Sequence, residues 1–177
     1  ALYEQCINTG CRIVPFAGWQ MPIQFTGLVK EHQTVRNEAG VFDISHMGIL
    51  RLEGENPKKA LQALVPSDLD RIGPGEACYT VLLNKEGGII DDLIVYDLGA
   101  NNKNIEALII VINAACQAAD IAWLEKHLKP ANIDISDEKK DGVLLALQGP
   151  KSQEILQQYC NESLKNLPSF GHQQIQL

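Results

Sequence analysis

The sequence predicts an α+β fold in which helices pack against antiparallel or mixed sheets. Between residues 48 and 137, strand-like and helix-like segments follow in the order β-α-β-β-β-α-β, which is typical of one sheet with helices packed on a face. The strand-like segments 77–84 and 88–98 are joined by a short turn that contains Gly87 and Gly88, and this spacing favours a hairpin.

The segments ahead of residue 48 are shorter and less regular. Residues 11–25, "CRIVPFAGWQMPIQF", alternate short apolar runs with prolines and a glycine, which predicts extended segments joined by a tight corner. Residues 27–40 have a partial apolar stripe and end in glycine, and they predict a helix. Residues 41–54 predict a bent strand, or two strands that meet at Gly48.

The later segments alternate more evenly. Asn56 followed by Pro57 predicts a helix start, because Asn is a common N-cap and Pro fits the first turn. Further strands are predicted at 106–113, 131–136 and 142–149, and further helices at 114–128 and after Pro150. The last residues, "HQQIQL", predict the beginning of another strand.

Composition excludes several classes of function. The formal charge of −7 argues against a nucleic-acid partner, and no apolar stretch reaches the length of a membrane span. The five cysteines are scattered without a C-x-x-C pair, which indicates reduced thiols and no metal site. We expect a cytoplasmic protein, or one of the mitochondrial matrix if a eukaryotic leader has been removed.

The segment "NKEGGIIDDLIVY" (84–96) places two carboxylates inside an apolar strand. Because residues two apart share a face, Asp92 is expected to lie with Ile90, Ile94 and Tyr96, and Asp91 on the other face. One acid must then have apolar neighbours, which disfavours its charged form and suits a group that exchanges protons. Alternatively, both acids could be solvated near the turn, or one could cap local backbone amides, and spacing alone somewhat favours this simpler interpretation.

Two other polar positions admit two readings each. Asn113 ends an apolar strand just before a helix, where it could cap the helix or hydrogen-bond a flat heterocycle through its amide. The segment "FDISHMG" brings together Asp43, Ser45 and His46. A catalytic triad is not favoured there, because side chains of sequence neighbours diverge in a strand.

Five motifs together carry a resemblance to a known family. They are "FAGWQMPIQF", "FDISHMG", "NKEGGIIDDLIVY", "VINAA" and "ALQGP", in this order along the chain. In this order and spacing the chain resembles the aminomethyltransferase (T-protein) family of the glycine cleavage system, from its first residue to its last.

The resemblance implies a fold and a reaction. Members of the family fold as three domains around an opening that holds tetrahydrofolate, and a lipoylated carrier, the H-protein, delivers the aminomethyl group. The one-carbon unit passes to tetrahydrofolate as 5,10-methylenetetrahydrofolate, and ammonia is released. No metal is implied.

The resemblance also implies site residues. The catalytic acid of the family is the second Asp of its G-G-x-x-D-D strand, here Asp92, and its pterin-contacting amide corresponds to Asn113. Positions that line the folate pocket correspond to Met47, Tyr79, Ile94 and Tyr96. On this reading Asp92 faces inward, whereas Asp91 is structural or hydrated.

The resemblance leads to a domain prediction as well. Residues 51–139 are expected to form a small ferredoxin-like middle domain, and residues 1–50 with 140–177 an incomplete first folate-binding domain. Family members are about twice as long, so a truncated chain is expected, and this chain alone could be an inactive fragment. The alternatives are a non-catalytic folate-binding relative and the folate half of a sarcosine or dimethylglycine dehydrogenase.

Overall fold

The structure, a computed structural model, describes residues 2–139 and 142–176 and confirms the α+β class. In chain order the elements are α1 (Tyr3–Asn8), β1 (Arg12–Phe16), β2 (Trp19–Gln24), α2 (Leu28–Asn37), β3 (Gly40–Asp43), β4 (Gly48–Gly54), α3 (Pro57–Gln62), β5 (Ala77–Leu83), β6 (Ile89–Ala100), β7 (Glu106–Ile112), α4 (Gln117–Leu128), β8 (Asp134–Asp137), β9 (Leu145–Gln148) and α5 (Ser152–Gln157). Residues 41–54 therefore form two strands, β3 and β4, and not a single bent strand.

The chain divides into two compact units. The first comprises Ala1–His46, Val143–Asn166 and Gln174–Leu177, and the second comprises Met47–Gly142 and Leu167–Gln173. The domain boundaries expected from the sequence remain a prediction. The contacts nevertheless group residues 167–173 with the second unit.

The first unit contains two small antiparallel sheets, β1–β2 and β3–β9. Helix α2 begins after Gly27, where the Glu31 carboxylate accepts the backbone N–H groups of Phe25, Thr26 and Gly27 at 2.9, 2.6 and 2.8 Å. These bonds, the one from Gly27 foremost, lower the pKa of Glu31. The side chain thus satisfies donors that a helix start leaves unpaired.

Gly149, directly after β9, is packed too closely for any side chain. A Cβ there would lie 2.5 Å from the Glu38 carbonyl oxygen and 2.7 Å from that of Val35, at a φ of +119°. We expect Gly149→Ala to lower the free energy of unfolding by about 2 kcal/mol or more, since backbone strain and overpacking add. Chemical denaturation of the chain measures the loss.

Gly10→Ala is the matched control for Gly149→Ala. Gly10 has a φ of +72° but nothing within 4 Å of an added Cβ, so it tests strain without a clash. Equal losses of stability in the two variants would show that the close approach at Gly149 is unimportant.

The second unit is built on a five-stranded antiparallel sheet in the order β5-β6-β7-β4-β8. Strands β4, β6, β7 and β8 with α3 and α4 follow a ferredoxin-like β-α-β-β-α-β order, and β5 is added beside β6. One face carries the core, together with Leu61 of α3 and Leu124 and Leu128 of α4, all of them 0% exposed. The sheet contributes to this core Leu50, Leu52, Leu82, Leu93, Val95, Leu108, Ile110 and Ile112.

The hairpin between β5 and β6 forms as predicted. Asn84 closes its turn, because its Oδ1 accepts the N–H groups of Glu86 and Gly88 at 3.0 and 2.7 Å. Gly87 adopts a φ of +81° there, a conformation that glycine takes without steric cost.

A β-bulge changes the face of Ile90. Leu83 is paired with Ile89 while Leu82 is paired with Asp91, so Ile90 is an extra residue in β6. Its side chain packs against the core cluster. The expectation that Ile90 shares a face with Asp92 was therefore wrong, because a bulge interrupts the alternation of the strand.

The strand expected at the C-terminus is not formed within its described residues, 172–176. The chain instead makes a single bridge between Glu76 and Gly171, and Ala77 donates its N–H to the Phe170 carbonyl at 2.7 Å. His172 packs edge-on against Tyr96, with ring centroids 5.5 Å apart. A few contacts thus attach residues 170–172 to the start of β5, and no continuous strand pairing forms there.

Over residues 2–139 and 142–176, no helix has the length and apolar character needed to cross a membrane. The five cysteines are free thiols. In the same ranges no group of three or more His, Cys, Asp and Glu side chains is arranged to hold a metal ion.

Candidate active site

Four of the expected site residues lie on the sheet face opposite the helices. Asp92, Ile94 and Tyr96 alternate along β6 and are half-buried, and Tyr79 on β5 is paired with Ile94. Tyr79 is 56% exposed. This face therefore offers an acid, a phenol and apolar surface side by side.

Asp92 is held by two neighbours. Asn113 donates from Nδ2 to the Asp92 carboxylate at 3.1 Å and to the Asp92 backbone carbonyl at 3.3 Å. Desolvation, and then a hydrogen bond to Asp92, raise the pKa of the Tyr79 phenol. Tyr79 is thus a neutral donor to Asp92, and together with Asn113 it restricts the orientation of that carboxyl group.

The two acids lie on opposite faces, as the predicted alternation requires, with Asp92 beside Ile94 and Tyr96. Asp91 is the acid that turns toward the helices, and only 8% of it is exposed, whereas Asp92 is half-buried on the open face. The reason is the alternation of β6 after the bulge, which puts Asp91 on the side of the buried Leu93 and Val95. Asp92 is consequently the acid that a ligand on the open face can reach.

Asp91 is structural and not hydrated. It accepts the backbone N–H of Asn113 at 3.2 Å and the Asn113 side-chain amide at 2.9 Å. Asn113 does not cap helix α4, because Cys116 occupies the N-cap position. The amide instead bridges the two acids, which gives a physical reason for their adjacency.

A third carboxyl, Asp120, completes the group. It lies in the first turn of α4, is 0% exposed, and neither carboxyl oxygen has a donor among the described residues. Burial, followed by a hydrogen bond to Asp91 and the charge of that residue, raises the pKa of Asp120 to about 7. At lower pH its hydroxyl donates to Asp91.

Within the pair formed by Asp91 and Asp120, the negative charge resides on Asp91. Burial alone would raise the pKa of Asp91, but hydrogen bonds from Asn113 and Asp120 outweigh it and lower the pKa. Desolvation and the charges of Asp91 and Asp120 raise the pKa of the Cys116 thiol. Cys116 is therefore a neutral thiol beside this network and not an activated nucleophile.

Met47 lies at the end of the sheet where the acids are. It directly precedes β4, whose first residue Gly48 is paired with Ile112, the residue before Asn113. Its backbone carbonyl accepts a hydrogen bond from Lys139 Nζ at 2.5 Å. The six expected site residues are thus all in the second unit.

The triad that the sequence analysis did not favour gains no support. The Ser45 hydroxyl accepts the backbone N–H of Leu144 at 3.1 Å, and Asp43 accepts the backbone N–H of Ser45 at 3.0 Å. The two side chains therefore stabilise the backbone beside the paired strands β3 and β9.

Sequence reasoning missed Asp120 and Cys116. Asp120 had a detectable signal, since a carboxyl one residue before Ile121, on the apolar stripe of the predicted helix, is unusual. That stripe consists of Ile121, Leu124 and Leu128 in the predicted helix 114–128, and it indicated core packing alone.

Comparisons with known proteins point to one family. The family model described as "GCVT N-terminal domain" matches residues 2–177. The chain is 63% identical over 175 residues to an aminomethyltransferase of Prochlorococcus marinus (strain MIT 9303), covering 99% of this chain and 47% of that protein. It is 61% identical over 176 residues to one of Synechococcus sp. (strain CC9902), covering 99% and 48%.

A solved structure gives the same indication. The glycine cleavage system aminomethyltransferase T from Bartonella henselae superposes with a TM-score of 0.81 at 36% identity, over 89% of this chain and 42% of that one. The chain spans about half the length of the curated relatives it matches.

Proposed function

The chain belongs to the GCVT N-terminal domain family and matches the N-terminal half of aminomethyltransferases, and on that premise we propose that it carries the catalytic acid of a tetrahydrofolate-dependent aminomethyltransferase. Such an enzyme moves a one-carbon unit from the aminomethyl-lipoyl arm of the H-protein to tetrahydrofolate. Tetrahydrofolate is the acceptor substrate.

One observation carries the proposal: the Asp92 carboxyl group and the Asn113 amide meet on an open, largely apolar sheet face. Asp92 and Asn113 are 3.1 Å apart there, with Ile94 and Tyr96 alongside on the same strand face. A pterin is flat and has hydrogen-bonding edges, so it needs apolar surface and a few placed polar groups. Both are present on this face.

The chemistry follows from the charge of Asp92. When the carbon–nitrogen bond of the aminomethyl donor is replaced by a bond to folate, ammonia leaves and positive charge develops on the carbon unit. A carboxylate fixed beside that carbon stabilises the cation and accepts a proton from the attacking folate nitrogen. The second folate nitrogen then attacks the same carbon, the carbon–sulfur bond breaks, and the proton of that nitrogen passes to the departing sulfur to give the lipoyl thiol.

The remaining site residues have simpler roles in this proposal. The Asn113 side-chain oxygen accepts an N–H of the pterin, and Met47, Tyr79, Ile94 and Tyr96 line the pocket. The H-protein is the proposed partner, and the cytoplasm, or the mitochondrial matrix of a eukaryote, is the proposed compartment.

Ammonia release is the assay that tests the function. Aminomethylated H-protein and tetrahydrofolate are incubated with the full-length polypeptide that carries this chain, and ammonia and 5,10-methylenetetrahydrofolate are measured. Both products in equal amounts are expected. A protein that binds tetrahydrofolate but releases no ammonia would be a non-catalytic folate-binding relative.

We expect Asn113→Ala to weaken tetrahydrofolate binding by about tenfold, since a side-chain hydrogen bond and the support of Asp92 are both lost. Calorimetric titration measures the dissociation constant. Asn132→Ala is the matched control, because Asn132 is an exposed residue ahead of β8. Equal affinities of the two variants would remove Asn113 from the binding site.

A further inference from the structure

We propose that Asp120 is a positioning residue of this site, whose protonated carboxyl donates a hydrogen bond to Asp91 so that Asp91 holds Asn113 against Asp92. The inference rests on the proposed function for its consequence in folate binding. Its structural part, a proton shared between α4 and β6, stands independently.

The burial of Asp120 is the first step. An ionised carboxylate that is 0% exposed and accepts no donor would be very costly. The start of a 12-residue helix favours negative charge, but this effect is small by comparison with full desolvation. A proton on Asp120 removes the cost and adds a further donor to Asp91, beside the two N–H groups of Asn113.

The second step is the position of Asp91. It receives the Asn113 backbone and side-chain N–H groups at 3.2 and 2.9 Å, and Asp120 approaches it from the helix side. Asp91 thus links the proton on the buried Asp120 to the side-chain amide of Asn113. When Asp120 loses its proton, two like charges face each other and the connection is weakened.

The titratable groups around this proton are acids and weak acids. Asp91 and Asp92 lie on β6, and the Cys116 thiol precedes α4, on which Asp120 itself lies. Tyr79 on β5 faces Asp92 and not Asp120. With these neighbours a second negative charge on Asp120 is opposed, so its deprotonation should disturb Asn113 through Asp91.

Nuclear magnetic resonance of the chain tests the structural part. The Asn113 side-chain amide resonances are followed from pH 5.5 to 8.5, and they are expected to shift with a midpoint near the pKa of about 7 of Asp120. Asp120→Asn should remove the shift, because its amide donates to Asp91 at every pH. Asp134→Asn, at an exposed position of β8, should retain it.

Two results would overturn the inference. One is an Asn113 amide that does not titrate in the unmodified chain, and the other is a titration that persists in Asp120→Asn. If Asp120→Asn does not fold, the protonation state of Asp120 is read instead from the chemical shift of its carboxyl carbon in the unmodified chain. An ionised Asp120 at pH 5.5 excludes the proposal.

Folate affinity tests the consequence. From pH 6 to pH 8 the dissociation constant of tetrahydrofolate is expected to rise about three- to tenfold in the unmodified full-length protein, and to stay level in Asp120→Asn. A purely structural Asp120 would lower stability without changing this pH profile. If the amide titrates but no tetrahydrofolate binds at any pH, the proposed function fails and the positioning role stands.

Discussion

Asp92→Asn is expected to lower the rate of aminomethyl transfer by about 10²–10⁴-fold, the usual range for loss of a positioned acid–base group. The amide keeps the shape of the carboxylate and can still accept the hydrogen bond that Asn113 donates at 3.1 Å. It cannot stabilise a cation or take a proton. Ammonia release at saturating substrate measures the loss, which should fall on kcat more than on KM.

Folding must be unchanged for that result to report on chemistry. Asp92 is half-buried on the open face and contributes nothing to the leucine-rich core, so circular dichroism and the denaturation midpoint should match the parent. Asp91→Asn is the matched control variant at the neighbouring position. It should lose less activity, because Asp91 affects the reaction only through its hydrogen bonds with Asn113. Parental turnover by Asp92→Asn would remove the acid from the mechanism.

Ile110→Ala is expected to lower the free energy of unfolding by about 2–5 kcal/mol, because it leaves a cavity in the core. Ile110 is 0% exposed in β7, between β6 and β4 in the sheet. Urea denaturation of the chain measures the loss as a shift in midpoint at constant slope.

Ile109→Ala is the matched control for Ile110→Ala. The two isoleucines are sequence neighbours in β7, but Ile109 points to the opposite face and is half-buried. Its truncation removes the same atoms and should cost distinctly less stability. Equal losses would mean that both sheet faces are equally packed, and that the open face is not available to a ligand.

Much of the framework could be predicted because it follows from local chemistry. The turn at Asn84 and Gly87 is specified by side-chain capping and a positive φ. A continuous apolar run located β7, and the stripe of Ile121, Leu124 and Leu128 located α4. The sequence also shows two acids shortly after two glycines, and this motif contributes to the resemblance to the aminomethyltransferase family.

Alternation correctly placed Asp92 with Ile94 and Tyr96 and Asp91 on the other face, but the face of Ile90 could not be predicted. It depends on which residue of β6 is paired with Leu82 across the sheet, and an extra residue such as Ile90 leaves no mark in the pattern of apolar positions. Asp120 was missed for a related reason, since its partner Asp91 is far away in sequence. The strand expected to begin at residue 172 does not form over the described residues 172–176, which follow a lone bridge at Gly171.

The bulge at Ile90 has a consequence for insertions and deletions. In a regular strand, one residue more or less in the hairpin would exchange the two faces of β6. Here the extra residue lies between the turn and the acids, while pairing of Leu93 with Ile112 fixes the strand beyond it. The tip of the hairpin can therefore gain or lose a residue at the bulge, and Asp92 remains on the face where Asn113 meets it.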